Sequence, residues 1–486
     1  MSRRARQSGL AASLAVGMLC ACATNPVTGR PQLVFMSEAQ EIALGRESDP
    51  QITASMGLYD DEALQRYVQD IGLRMAKASE RPGLPWQFRV IDDPAVNAFA
   101  LPGGYIYVTR GILAHMASEA ELAGVLGHEI GHVTARHAVS QYTKQMGAQL
   151  VLLPSAVLLP AELQGLGGQL LAPGFQLLFL KYGRDDERQS DQLGLGYMAN
   201  AGYDPTELVN LFQTLGRTSR ATDGARVPEW LATHPAPENR EQWVRARIAS
   251  LPTRAGTATL GREPFLRRID GIVYGYDPRE GFFSGANVFH HPGLAFRLSF
   301  PKGWKTLNQR QVVGAVSPER DAVVQLGLAE GKSAEAAARA FLGSQGIEST
   351  PPKPTRIGGL DAFTADFAAA GSQGTIRGIA VFLKHGEYVY GLLGYAPQDA
   401  FAERQPALSA ALESFARETE RAVLEVQPWR VQVVTPKRRL SQAVFAKEYP
   451  GPVSADELAI LNQLDAGEFY PAGVSAKRVV GRKLPE

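Results

Sequence analysis

The stretch VLGHEIGHVTARH, residues 125–137, sets His128 and His132 four residues apart, with Glu129 directly after the first histidine. On a helix turning about 100° per residue, the two imidazoles lie about 40° apart, so they share a face and can hold one ion. Glu129 lies about 100° round from His128, in a sector it shares with Leu122, Val125, Leu126 and Val133. An unpaired carboxylate among apolar neighbours is costly. An ion, or a water bound to one, accounts for its presence; an amphipathic surface helix has no use for it. His137 falls about 180° from His128 on the same wheel and is expected to face away.

Two imidazoles do not complete a zinc site, and the third ligand is expected on a neighbouring element. The segment KYGRDDERQSDQLGLGYMANAGYDP (181–205) offers Glu187 and Asp191, four apart on one helix face. Glu187 could reach the ion while Asp191 fixes the tautomer of a ligand histidine. The other reading of DDE is a solvated helix start, and spacing alone does not choose between them.

The chain has 486 residues, which predicts two to four domains. Lys and Arg number 50 against 49 Asp and Glu, so no basic surplus points to nucleic acid. The only cysteines are Cys20 and Cys22, which excludes a disulfide framework downstream. MSRRARQ followed by GLAASLAVGML reads as a signal peptide over residues 1–21. LCAC resembles a bacterial lipobox, which makes Cys22 the residue to be lipidated and the new N-terminus. Ala23, in place of aspartate, favours the inner leaflet of the outer membrane and a periplasmic body.

Residues 22–36 read as a polar tether after the anchor. SEAQ (37–40) and SEAE (118–121) have capping-box spacing and each opens a helix. A further helix is predicted from about 60 to 77, and WQFRVI (86–91) alternates like a strand. NAFALPGGYIYVTRGIL (97–113) reads as two strands about a Gly-Gly turn. Residues 145–180 are apolar, with three prolines that cut them into pieces shorter than a bilayer span. They are expected to form a helical hairpin packed on the protein as a lid, the alternative being membrane contact.

HEIGH, the glutamate of ExxxD 55 residues after His132, and AGYDP together resemble the zinc metallopeptidases of family M48, of the HtpX and CAAX-prenyl-protease type. NPVTG after Cys22 is similar to the periplasmic lipoprotein branch. The resemblance covers about residues 23–250. It implies a mainly helical gluzincin-type α+β domain with a small sheet over 37–250. It makes His128, His132 and Glu187 the ligands of one zinc ion and Glu129 the general base. THPAPENR (233–240) resembles the family's later histidine motif. His234 would stabilise the oxyanion or block the site at rest, and Arg240 would be a structural partner or one standing behind the metal ligands. The strand Asn97, Ala98, Phe99, Ala100 resembles the substrate-facing edge, where an extended polypeptide would pair. Ser190 departs from the family's usual small alanine.

Residues 251–284 read as a linker. Residues 285–420 resemble a PsbP-like α/β module, with no clustered nucleophile or ligand set. Adjacent His290 and His291 point in different directions on any regular element, so no joint metal site is expected there. Residues 427–481 resemble a LysM fold, with TPKRRL where a glycine and aspartate belong; it would bind peptidoglycan or serve as a docking domain without a ligand. The function implied is a zinc endopeptidase of the bacterial envelope acting on extended or misfolded proteins. The alternative is a non-catalytic envelope lipoprotein that binds peptidoglycan or assembly partners through its C-terminal half.

Overall fold

A computed structural model describes residues 22–34, 36–149, 182–221, 228–234, 240–251, 258–285, 287–371 and 374–485. The expected signal peptide and residues 150–180 of the apolar stretch lie outside the described residues. Among the described residues no helix is long and apolar enough to cross a membrane. The chain forms two compact units: one of residues 22–149, 182–276 and 429–481, the other of 277–428 with 482–485.

The first unit opens with two short antiparallel strands, β1 (Cys22–Thr24) and β2 (Pro31–Leu33). Asn25 closes the turn between them: its Oδ1 accepts from Val27 N at 2.9 Å and Thr28 N at 3.0 Å. Its Nδ2 donates to Ala135 O at 3.1 Å. The segment expected as a polar tether is therefore docked, at its fourth residue, on a distant helix end. Helix α1 (Glu38–Met56) begins with the reciprocal box of Ser37 and Gln40. Helix α2 (Glu62–Ala76) is capped by Asp61. Strands β3 (Gln87–Ile91), β4 (Ala98–Leu101) and β5 (Tyr105–Thr109) form a sheet in the order β3-β5-β4. The predicted strand pair about Gly103 and Gly104 is thus present, both glycines at positive φ, with β4 on the edge.

Helix α3 (Arg110–His115) leads into α4 (Glu119–Thr134), the HEIGH helix. Ser118 Oγ accepts from Glu121 N at 3.2 Å, but Glu121 turns its carboxylate to Ala117 N at 2.5 Å instead of closing the box. The chain reverses at Arg136, in the left-handed region at φ 61°, before α5 (His137–Gln149). Helix α6 (Arg184–Ala201) packs along α4. Small residues permit their approach: a Cβ on Gly194 would lie 2.9 Å from His128 N, and one on Gly131 3.0 Å from Ser190 Cα. Glycine within a helix costs up to about 1 kcal/mol relative to alanine; here it allows two backbones to meet beside the histidines. Helices α7 (Thr206–Ala221), α8 (Glu229–Thr233) and α9 (Arg240–Ala249) follow.

Residues 258–276 of the expected linker and 429–481 of the expected LysM-like domain belong to this same unit. Helix α10 (Arg262–Ile269) buries Phe265, Leu266 and Ile269. Strand β6 (Val273–Tyr274) pairs with β7 (Trp429–Val434), which pairs with β8 (Ala476–Val480). Between them lie α11 (Gln442–Glu448) and α12 (Ala455–Leu461). Val431, Phe445, Leu458, Leu461 and Val479 join the hydrophobic core that holds Leu122, Val125 and Leu126 of α4. Lys477 is buried and donates from Nζ to Ala114 O at 2.9 Å and Met116 O at 2.6 Å. Gln463 Nε2 donates to Glu121 Oε1.

The second unit holds an eight-stranded antiparallel sheet whose long members are Leu360–Gly371, Gly374–His385 and Tyr388–Pro397. Alternation along the middle strand decides the packing. Val381 and Leu383 share a core with Leu408 and Leu412 of helix Gln398–Glu413. Ala380 and Phe382 share another with Ala337 and Leu342 of helix Ala334–Leu342. A four-stranded sheet (282–284, 288–291, 296–299, 416–417) completes it. There His290 Nε2 lies 2.9 Å from Ser284 Oγ and its Nδ1 2.6 Å from Glu418 Oε2. Antiparallel pairing of 282–284 with 288–291 brings Ser284, which precedes the segment read as the α/β module, next to His290.

Candidate metal centre

His128 and His132 project from α4 toward Glu187 of α6 and toward His234, the residue that ends α8. Each of these four is at most 1% exposed, and each offers one donor atom within 4.8 Å of the others. His128 Nε2 lies 3.0 Å from His132 Nε2 and 3.2 Å from His234 Nδ1. Glu187 Oε1 lies 2.9 Å from His234 Nδ1 and 3.4 Å from His132 Nε2, and Oε2 lies 3.5 Å from His128 Nε2. A tetrahedral site with zinc–nitrogen bonds of about 2.0–2.1 Å has edges of about 3.3–3.4 Å. The observed separations bracket that value. Glu187 Oε2 and Glu129 Oε2 are both buried without a hydrogen-bond partner. A buried carboxylate oxygen with no donor is costly unless a cation serves it. The donor set therefore fits one zinc ion.

The supporting groups also meet here. Asp191 Oδ1 lies 2.9 Å from His128 Nδ1, which leaves Nε2 free to face the cluster. Arg240 grips Asp191 with two bonds, Nε to Oδ2 at 2.8 Å and Nη2 to Oδ1 at 2.7 Å. Burial opposes the charge on both, but their mutual attraction wins, holding Asp191 below and Arg240 above the usual range. Burial also works against the His128 cation, yet Asp191 and Glu187 outweigh it and raise its pKa to about 9. For His132 burial prevails over Glu187 and its pKa falls well below the usual value. Glu187 is held far below the carboxylate range, because His234, His128 and His132 together outweigh its burial.

Glu129 lies outside the four-donor set. Trp230 Nε1 donates to its Oε1 at 3.0 Å, and His234 Nε2 is 3.6 Å from the same oxygen. Oε2 remains open, in the apolar sector that the helical wheel anticipated.

His137 is not where the wheel put it. Its Nδ1 lies 3.0 Å from His132 Nδ1, and its Nε2 3.0 Å from Gln189 Oε1. The reason is the left-handed turn at Arg136, which ends one helix and starts another, so extrapolation at 100° per residue stops applying. Trp230 and Tyr182 escaped the sequence reading. Tyr182 lays its ring on His132, centroids 4.0 Å apart. Both had a local signal: Trp230 stands one turn before His234, and Tyr182 just before the helix carrying Glu187. The strand Asn97–Ala100 lies at the sheet edge but is closely covered, 8% exposed or less. Asn97 keeps a buried Oδ1 without a partner.

Residues 62–248, the segment that carries this cluster, match the Peptidase family M48 model. The beta-barrel assembly-enhancing protease of Yersinia pestis is 30% identical over 242 residues, 48% of this chain and 48% of that protein. The mitochondrial metalloendopeptidase OMA1 of Arabidopsis thaliana is 33% identical over 183 residues, 38% of this chain and 36% of that protein. The matches thus span about half, or less, of these relatives' length. Among solved structures, cyanobacterial PsbP from Synechocystis sp. PCC 6803 covers 28% of this chain and 94% of its own, at 12% identity and a TM-score of 0.23. A likeness at that score assigns neither fold nor function to the second unit.

Proposed function

We propose that this chain is a zinc-dependent endopeptidase of the bacterial cell envelope, anchored by a lipid on Cys22, that cuts extended segments of misassembled proteins. The observation that carries the reading is the convergence of His128, His132, Glu187 and His234 at tetrahedral spacing, with Glu129 beside them. A zinc ion bound there supplies Lewis-acid polarisation of a peptide carbonyl and activation of water. The chain's own groups do the rest. Trp230 holds Glu129 by Oε1, so Oε2 is free to take a proton from water and pass it to the leaving amine. Arg240 and Asp191 hold the His128 ring in one tautomer.

His234 had two roles open to it. Its Nδ1, 3.2 Å from His128 Nε2, takes the corner that a water needs, which favours the resting-state role. Its withdrawal would open the site and bring Nε2 toward a developing oxyanion. An extended substrate would pair along the edge of β4, which bonds only β5 among the described residues, once that covered edge is opened. The relatives named as an assembly-enhancing protease and a metalloendopeptidase support substrates of this kind.

The test is the Glu129→Gln variant beside the wild type, each measured for zinc by elemental analysis and for casein cleavage with and without chelator. Retained zinc with lost cleavage is expected. Undiminished proteolysis by the variant would remove Glu129 from its role, and chelator-resistant cleavage would remove the metal.

A further inference from the structure

We infer that His137 is a positioning residue of the metal site: its neutral ring takes the Nδ1 proton of His132 and so turns the His132 Nε2 lone pair toward the ion. This rests on the zinc reading of the four-donor cluster and goes beyond it, since His137 is not one of those donors. His137 is 3% exposed, and its ring meets His132 with centroids 5.0 Å apart and planes at 74°. The contact is not a stack; it runs from Nδ1 to Nδ1 at 3.0 Å. The left-handed turn at Arg136 is what brings the ring there.

A hydrogen bond between two imidazoles needs one donor and one acceptor, and a neutral ring has one of each. Two observations decide which ring donates. At His132 the other nitrogen, Nε2, faces the cluster, 3.0 Å from His128 Nε2 and 3.4 Å from Glu187 Oε1. A metal takes a bare lone pair, so the His132 proton belongs on Nδ1. At His137 the far nitrogen, Nε2, faces acceptors: Gln189 Oε1 at 3.0 Å and Asp186 Oδ1 at 3.7 Å. An ionised carboxylate only accepts, so the His137 proton belongs on Nε2 and Nδ1 is left to accept. Asp186 is itself fixed, its Oδ2 receiving Gln141 Nε2 at 2.9 Å and Gly183 N at 3.1 Å. Ser190 Oγ, 3.3 Å from His137 Nδ1, is a second and longer contact on the accepting nitrogen. His128 reaches the same end by another route, giving its Nδ1 proton to the Asp191 carboxylate. The two histidines of the HEIGH helix thus have separate supports, one an anion and one a neutral ring.

The experiment measures the zinc affinity of the full-length chain by competition against a chromophoric chelator, and the visible spectrum of the cobalt-substituted protein. His137→Asn sets an amide Oδ1 where Nδ1 stood and keeps the acceptor. His137→Phe keeps a ring and removes the acceptor. His137→Phe should weaken zinc binding about 10- to 100-fold and shift the cobalt bands, the scale for losing the partner of a ligand histidine. His137→Asn should stay closer to the wild type in both. A residue that merely filled space would give the reverse order, the ring serving better than the amide. Thermal melts establish that each variant is folded. Should His137→Phe not fold, His137→Gln replaces it, with its amide where Nε2 stood and the same loss expected. A folded His137→Phe with wild-type zinc affinity overturns the inference, as does a His137→Asn that binds zinc as weakly as His137→Phe. A wild type that binds zinc yet leaves casein intact refutes the peptidase reading alone; one that binds no zinc overturns both.

Discussion

Asparagine at position 191 keeps the shape of the side chain and removes its charge. In the protein, Asp191 is fully buried and serves two donors at once, the His128 ring at 2.9 Å and the Arg240 guanidinium at 2.7 and 2.8 Å. Asp191→Asn leaves Arg240 buried, with Glu187 Oε2 at 3.7 Å as its nearest remaining carboxylate. Breaking one side of a buried ion pair costs about 3–5 kcal/mol. The contact with Glu187 and the stacking of Arg240 on Phe212, 4.1 Å from ring centroid to guanidinium, place the loss at the lower end. At about 2–4 °C per kcal/mol for a unit of this size, about 3 kcal/mol lowers Tm by about 6–12 °C. The loosened His128 ring should also weaken zinc binding about 10- to 100-fold. Calorimetry and competition against a chromophoric chelator measure the two effects. Adding Arg240→Met removes the stranded cation and should recover part of the stability but none of the zinc affinity. A single variant within about 1 °C of the wild-type Tm, with unchanged zinc affinity, would refute the claim that this pair positions the ligand.

Trp230→Phe removes the donor on Glu129 Oε1 and should lower kcat about tenfold or more, as the loss of a hydrogen bond to a charged group implies, while elemental analysis finds zinc retained. Lys477→Met leaves the buried carbonyls of Ala114 and Met116 without this donor and should destabilise the first unit by about 1–3 kcal/mol in denaturant titration. Burial lowers the pKa of His115 to about 4, against about 6.5 unfolded, so the unfolded chain binds more protons between those values. Stability due to a neutral His115 is complete above pH 6.5 and should fall by about 3 kcal/mol as pH drops to 4. His115→Gln should flatten that part of the stability profile, and an unchanged acid slope would count against it.

Local signals in the chain were enough to fix the local elements. Ser37 and Gln40 spelled out a helix start that the protein contains, as did Asn97–Thr109 for a strand pair and HEIGH for two rings on one face. Residues a few positions apart interact through the backbone they share, so their geometry follows from the periodicity of that backbone. The same rule failed at His137 because one residue with positive φ broke the period. What the tertiary structure decided was which distant segments meet. Spacing left Glu187 either ligand or solvated; the small residues of α4 and α6 settled its position by letting the helices approach. Trp230 against Glu129, Asn25 against Ala135 and Lys477 against Ala114 are contacts across roughly a hundred residues or more, with no period to announce them. The C-terminal strands likewise looked self-sufficient in sequence, yet their apolar faces are buried in the core around the HEIGH helix. Burial rewards any complementary apolar surface regardless of chain distance, so a pattern can name a buried face without naming what will cover it.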